Sequence, residues 1–333
     1  MKQWIDRRQF VRTALAVAGG LAVGGASSAF AGEAVPPGTV LRVGDQKGGS
    51  RALMDAAGVL NDLPYRIEWS LFASASTLLE ALNAKAIDVG AVGDAPFLFA
   101  YAGGAPIQVA LALSSGPERA TPGSAILVVR NSSIQAPSDL IGRSVATIRG
   151  SVGHYFLLRA LDQYGIKHGD IKFVFLNPSD AKAALEGGSI DAWSIWEPYV
   201  SLAELQDGAR PVIDGSQVPR TEYGFHVASQ QAIAHNHGAL ADYLRRVVLA
   251  NEWGRDNNDR FAEVWARETG LPMEIARRAC IGYLSLFHPV RLDGTVVEAL
   301  GKIAEVYRQG NIPIGPMDLA AAFDPSFSAI LIP

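Results

Sequence analysis

Two stretches of this chain repeat one another, and the repeat limits the possible folds more than any other feature. Ala81-Leu82-Asn83-Ala84-Lys85-Ala86-Ile87-Asp88, running on to Asp94-Ala95-Pro96, is matched 103 positions later by Ala184-Leu185-Glu186-Gly187-Gly188-Ser189-Ile190-Asp191, running on to Glu197-Pro198. Upstream, Val43-Gly44 leading into Gly48-Gly49-Ser50 is paralleled by Ile148-Arg149-Gly150-Ser151. Each unit reads as strand, glycine turn and helix, then a later helix, an Ile-Asp strand, an acidic-proline turn and a helix. Two matches in the same order imply two similar α/β lobes. The carboxyl ends of their strands can then face a shared cleft, where open α/β sheets bind ligands.

The rest of the chain fits that frame. Thr39–Gly44 reads as a strand, Arg51–Leu60 as a helix, and Tyr65–Leu71 alternates, with Tyr65, Ile67, Trp69 and Leu71 on one face of a half-buried strand. Thr77–Asn83 and Pro96–Ala102 read as helices and Ile87–Val92 as a strand. Strand and helix signals alternate to about Asp214, which predicts α/β class with mainly parallel sheets. From His237 the pattern turns helical, with Leu240, Leu244, Val247 and Val248 at helical spacing. The first lobe is expected over 39–128 plus 222–333 and the second over 129–221.

The N-terminus bounds where such a protein works. Basic residues (Lys2, Arg7, Arg8, Arg12) precede an uncharged stretch, Thr13 to Ala29, that ends in Ala29-Phe30-Ala31. This is the layout of a cleavable export signal over residues 1–31. Arg7-Arg8-Gln9-Phe10-Val11 resembles a twin-arginine motif, with Asp6 and Arg12 departing from the usual residues. The only cysteine, Cys280, is far from the cleavage site, so the mature protein is expected free in the periplasm, without a lipid anchor. No intramolecular disulfide is possible. Without residues 1–31 the chain carries 25 basic and 32 acidic residues, net −7. That argues against nucleic acid and anionic membrane as partners. A local cluster of N–H groups can still hold a small anion.

Three strand-to-helix junctions stand out. In Gly44-Asp45-Gln46-Lys47-Gly48-Gly49-Ser50 the glycines allow close backbone approach, and a helix start follows that can offer N–H donors; a plain capped turn is the competing reading. The spacing matches neither phosphate-loop nor dinucleotide fingerprints. In Gly93-Asp94-Ala95-Pro96, Asp94 is expected as an N-cap with Pro96 in the first turn. In Gly150-Ser151-Val152-Gly153-His154-Tyr155, Ser151 can cap the helix and donate its hydroxyl, with His154 and Tyr155 on the first turn. After the second Ile-Asp strand come Trp193 and Trp196-Glu197-Pro198-Tyr199, whose aromatics can enclose an apolar ligand body or simply fill core. Trp253 and Trp265 read as core, as does Cys280 within a helical run from Ile275 to Phe287. There is no nucleophile elbow and no zinc-protease motif, and His235-Asn236-His237 reads as a solvated loop rather than a metal site. No cofactor is expected.

These same segments, Leu41 to Ser50, Leu79 to Ala84, Gly93 to Pro96, Gly123 to Val128 and Asp191-Ala192-Trp193-Ser194-Ile195-Trp196-Glu197-Pro198-Tyr199, resemble in order the aliphatic-sulfonate-binding proteins of ABC importers. The resemblance covers essentially the whole mature chain. It implies the type II periplasmic-binding-protein fold, closing by hinge motion and docking on a permease. It also implies a monomeric solute-binding protein without enzymatic activity, serving sulfur acquisition. Carried over by position, Gln46, Asp94, Ala95 and the Ser151 helix start surround the sulfonate head, with Trp196 near the tail; Gly48, Gly49, His154, Tyr155 and Glu197, at the same junctions, are further ligand-binding candidates. The family carries an aromatic where this chain has Asp45, which alters the pocket. Alternatives are a binder of taurine, an aryl sulfonate, a sulfate ester or a thiamine-precursor pyrimidine, or an enzyme on the same scaffold such as a desulfinase or thiamine-precursor synthase.

Overall fold

The computed structural model describes residues 34–114, 123–218, 223–280 and 287–328. The export segment, the expected return at Glu222 and most of the run after Cys280 lie outside them. In chain order the regular elements are β1 (Val40–Gln46), α1 (Ser50–Ala56), β2 (Arg66–Phe72), α2 (Ala75–Asn83), β3 (Val89–Gly93), α3 (Asp94–Ala102), β4 (Ile107–Ser114), β5 (Ser124–Val128), β6 (Ser144–Thr147), α4 (Val152–Gln163), β7 (Lys172–Phe175), α5 (Pro178–Glu186), β8 (Ala192–Trp196), α6 (Tyr199–Leu205), β9 (Arg210–Asp214), β10 (Tyr223–Ser229), α7 (Gln230–Asp256), α8 (Asn258–Thr269), α9 (Met273–Ala279), β11 (His288–Val290) and α10 (Gly294–Gln309).

Local chemistry sets many of the boundaries. Ser151 Oγ accepts from His154 N at 3.1 Å to open α4, and Ser229 Oγ accepts from Ala232 N at 3.1 Å to open α7. Asn177 accepts from Asp180 N at 3.0 Å, with Pro178 in the first turn of α5. These are the residue types that satisfy donors left over at a helix start. α8 stops at Gly270, whose φ of +74° few other residues tolerate.

The strands form two sheets, ordered β11-β4-β10-β3-β1-β2 and β7-β6-β8-β5-β9. The repeat is visible in both: β2-β1-β3 and β7-β6-β8 are parallel triplets with the same order. The Ile-Asp strands make the same bond in each. Asp88 accepts from Arg42 N and Asp191 from Ser144 N, both at 2.8 Å, so each carboxylate fixes its strand against the first strand of its unit. Two expectations need correcting. The sheets are mixed, because β10 runs antiparallel to β3 and β4, and β5 antiparallel to β8 and β9. Those pairings also put Ser124–Val128 in the second sheet, although the first lobe was expected to run to Val128.

Apolar residues fill both faces of each sheet. On the first, Leu41, Val43 and Leu111 pack with Leu240, Leu244 and Phe261 of α7 and α8, and Phe97, Leu300 and Tyr307 pack on the other side. On the second, Phe156 and Leu157 of α4 cover one face and Trp193 with Ala181 and Leu185 the other. Each fully buried Leu or Phe stabilises by about 1.5–3 kcal/mol. Tyr155 and Leu158 of α4 join the cluster that contains Leu300 and Tyr307, so α10 packs against both α3 and α4. Leu71 departs from the strand pattern: it is 55% exposed near the end of β2, the edge strand.

Candidate functional site

The carboxyl ends of β1, β3 and β8 are brought to one cavity of about 460 Å³. Gln46, Gly48 and Gly49 follow β1, Gly93 ends β3, and Trp196 and Glu197 end β8; all line it, along with Phe225 and His226 of β10 and Phe261 and Trp265 of α8. Phe72, Tyr199 and Phe287 add further aromatic rings to the wall. A Cβ added at Gly93 would lie 3.0 Å from Val152 Cγ2, so the starts of α3 and α4 meet beside the cavity, and glycine is what lets them approach.

The sequence candidates divide into two groups. Gln46, Gly48, Gly49, Trp196 and Glu197 are in the cavity wall. Asp94, Ala95 and Ser151 are buried at the helix starts behind Gly93, at 1%, 0% and 5% exposure. His154 and Tyr155 turn into the core instead of lining the cavity. The His154 Nδ1 accepts from Gly150 N at 3.1 Å, which leaves the proton on Nε2, and the ring lies among Phe173, Phe175 and Tyr307. Burial, reinforced by Arg149 and His168, pushes its pKa down to about 4, so it is neutral at physiological pH. Tyr155 packs edge-on against Tyr307.

Electrostatics alter the expected role of the first junction. Asp45 accepts from Gln46 N at 2.8 Å, Ser50 N at 3.2 Å and Arg51 N at 2.7 Å. The first amides of α1 therefore face the chain's own carboxylate, and they are not the open donors expected for a ligand anion. Burial pushes Asp45 up to about 6, opposed by those three bonds and helped by Glu268. Asp94 likewise accepts from Ala95 N at 2.7 Å and, across the sheet, from Tyr223 N at 3.1 Å. It is the first residue of α3 and not its N-cap, which is Gly93. Glu197 accepts from Ser201 Oγ at 2.8 Å and Ser201 N at 3.1 Å; burial raises its pKa. The start of α4 carries a neutral side-chain cap, Ser151, whose hydroxyl donates to Ile148 O at 2.7 Å while accepting from His154 N.

Three wall residues had no signal in the local sequence. Trp265 was read as core, and it is 4% exposed, but its indole lies over the Gly48 turn: a Cβ on Gly48 would be 1.6 Å from its Nε1. His226 is neutral, pushed down to about 4 by burial, and its Nδ1 has no hydrogen-bond partner among the described residues. Asn251 spends its amide on Val247 O at 2.8 Å. Lys47 holds the turn to α8 by donating to Thr269 O at 3.0 Å.

Other candidates fall away from the site. His235 and His237 lie inside α7, at a kink on Asn236, and not in a loop; His235 Nδ1 is 2.8 Å from Gln231 O, and His237 stacks on Phe327. Among the described residues no group of three His, Cys, Asp or Glu side chains is placed to hold a metal. Cys280 is buried just after α9, and burial pushes its thiol up to about 12. No helix of the described residues is long and apolar enough to cross a membrane.

Residues 52–267 match the model of the NMT1-like family. A putative aliphatic sulfonates-binding protein of Escherichia coli (strain K12) is 37% identical over 265 residues, covering 78% of this chain and 80% of that protein. The structure superposes on the alkanesulfonate-binding protein SsuA from Xanthomonas axonopodis pv. citri, solved bound to MOPS, with a TM-score of 0.75 and 28% identity over 87% of this chain and 98% of that one. The desulfurization enzyme DSZB shares the fold at a TM-score of 0.66 over 87% of this chain and 97% of that one, but its 17% identity speaks for fold alone. With paired α/β sheets opening on one cavity, and with relatives alike over most of their length, the chain belongs to the NMT1-like family and has the periplasmic-binding-protein fold of the SsuA proteins.

Proposed function

We propose that this protein captures an organosulfonate, in the first instance an alkanesulfonate, and delivers it to an ABC importer for sulfur acquisition. The observation that carries the reading is the cavity itself: about 460 Å³, with several aromatic rings in its wall together with Gly93, the N-cap of α3, against which the start of α4 packs. A sulfonate remains a monoanion throughout the physiological range and offers three acceptor oxygens, which suits amide donors at a helix start without an arginine. The α4 start, capped by the neutral Ser151, is the natural seat for the head. Ala95 and Asp94 on α3, and the Gln46 carboxamide with the Gly48-Gly49 turn, close around it, and Trp196 lies along the tail. The names of the relatives point to the same ligand class. Working in the periplasm as a free monomer, with two lobes closing over the ligand before docking on a permease, follows from the same reading.

The protein binds without transforming its ligand. Its only thiol, Cys280, is buried and held in the protonated form, which is a poor nucleophile. Thermal melting across a panel of sulfonates, taurine, sulfate esters and pyrimidines tests the reading, since a ligand that binds only the folded state raises the melting temperature by mass action. At least one sulfonate should raise it by several degrees. A shift with a pyrimidine and none with any sulfonate would refute the ligand class, and product in the same tubes would refute the non-enzymatic reading.

A further inference from the structure

The two lobes meet along two seams of different character. In the first, Tyr155 and Leu158 of α4 share a buried apolar cluster with Phe97 of α3 and with Leu300, Val306 and Tyr307 of α10. Tyr307 is fully buried there, and its hydroxyl donates to Ser151 O at 3.4 Å. The second seam joins α6, whose Val200 and Ala203 belong to the core of the second sheet, to α9, whose Ala276 and Ala279 belong to the core of the first. This seam is part of the cavity wall, since Tyr199 and Leu202 of α6 and Ala279 of α9 line the cavity. What crosses it is a charge. The Arg278 guanidinium of α9 donates to Glu204 Oε2 of α6, with the carboxylate side chain 14% exposed and the guanidinium 38%. Arg278 also favours the ionised form of Glu197, against the burial that raises its pKa. One cation of the first lobe therefore acts on two carboxylates of the second. Glu197 accepts from Ser201 in the first turn of α6, and Glu204 stands in its last. Arg277, the neighbour on α9, pairs within its own lobe, with Asp259 of α8 at 3.2 Å.

An apolar seam cannot part without returning its core to water, whereas a partly exposed ion pair exchanges its partner for water at little cost. The side of the cavity built by α6 and α9 is therefore the side that yields. We propose that the cavity opens along α6 and α9, and that Arg278 and Glu204 are the positioning pair that holds this side shut and sets how long a ligand stays. This rests on the cavity being the binding site, and it holds for any ligand enclosed there, sulfonate or not. Neither residue needs to touch the ligand. Their contact fixes α6 over the cavity and keeps Tyr199 and Leu202 in its wall.

The test reads butanesulfonate dissociation by stopped-flow tryptophan fluorescence, since Trp196 and Trp265 are in the wall. Glu204→Gln and Arg278→Gln, checked for folding by circular dichroism, should each speed dissociation about three- to ten-fold, between the worth of an exposed pair and a buried one. Association should change less. The double variant should be no faster than the faster single one, because the two side chains act as a unit. Arg277→Gln is the control, and it should leave the rate unchanged. Unchanged rates in both single variants would overturn the proposal, as would an equal effect in Arg277→Gln. A double variant whose effect is the product of the two singles would overturn the pairing. A second readout needs no ligand: in Arg278→Lys, a carbodiimide should join the new amine to Glu204 as an amide, found by mass spectrometry as a linked peptide. Its absence would overturn the contact. If the cross-link forms while neither butanesulfonate nor any other sulfonate binds, the sulfonate reading alone fails; the dissociation test then passes to whichever compound of the melting panel does bind.

Discussion

Replacing Gly48 by alanine should destabilise the protein through two separable effects. Gly48 has φ +79°, a region where an L-residue costs about 1–2 kcal/mol. An added Cβ would also lie 1.6 Å from Trp265 Nε1, 2.2 Å from its Cδ1 and 2.7 Å from its Cε2. No ordinary contact is so short. The indole cannot swing clear, because Trp265 is 4% exposed and packed within the α7–α8 core. Overpacking of this kind costs about 1–3 kcal/mol, for a total of about 2–5 kcal/mol. Gly58 provides the control: its φ is +70° and nothing lies within 4 Å of its would-be Cβ. Gly58→Ala therefore carries the backbone cost alone, about 1–2 kcal/mol. Urea unfolding at neutral pH measures both, read as a shift in midpoint at constant slope. A third arm, Gly48→Ala in a Trp265→Leu background, should recover part of the difference, since residues in contact couple. If Gly48→Ala costs no more than Gly58→Ala, the indole does not cover the turn, and the wall built from α8 is wrong.

Acid should destabilise the fold through its buried histidines. His154 and His226, at about 4, resist protons that the unfolded chain binds near 6.5, so lowering pH from 6.5 to 4 removes about 3 kcal/mol for each. Asp45 works in the opposite direction: its folded pKa of about 6 lies above its unfolded 3.8, so the native state takes the proton first and gains about 3 kcal/mol as pH falls through that window. Urea unfolding at pH 7, 5 and 4 should show a net loss of about 3 kcal/mol from these three groups, steeper in Asp45→Asn; a flatter profile in that variant would reverse the sign assigned here. Lys85, exposed with φ +59°, stands in the repeat where the second unit has Gly188 at φ +71°. Lys85→Gly should add about 1 kcal/mol and raise Tm by about 2–4 °C, with no gain counting against the strain.

Much of this architecture was legible because it is written in short-range patterns. The repeat around Ile87-Asp88 and Ile190-Asp191 led to two sheets with matching parallel triplets, and even the paired aspartate bonds recur. Ser151 is a cap because its neighbours leave an amide three residues on that needs an acceptor. Aromatics after an Ile-Asp strand, such as Trp196, were placed at a strand end and so at the cavity. Asp94 and His154 show where such reading falls short. Both are on the right turn, but a shift of one residue at the cap, or one partner such as Gly150 N, decides whether a side chain faces the cavity or the core.

What the sequence determined by itself was the class, the repeat, the order of the elements and the junctions where a ligand could meet helix starts. These depend on spacing within some tens of residues, and backbone geometry translates spacing directly into faces and ends. Only the tertiary structure decided that β5 joins the second sheet, that Trp265 roofs a turn more than 200 positions earlier, and that Asp45 claims the amides of α1. Contacts between elements distant in sequence depend on how whole layers pack. A buried carboxylate acquires its role from which charges that packing leaves beside it, and no local pattern records that.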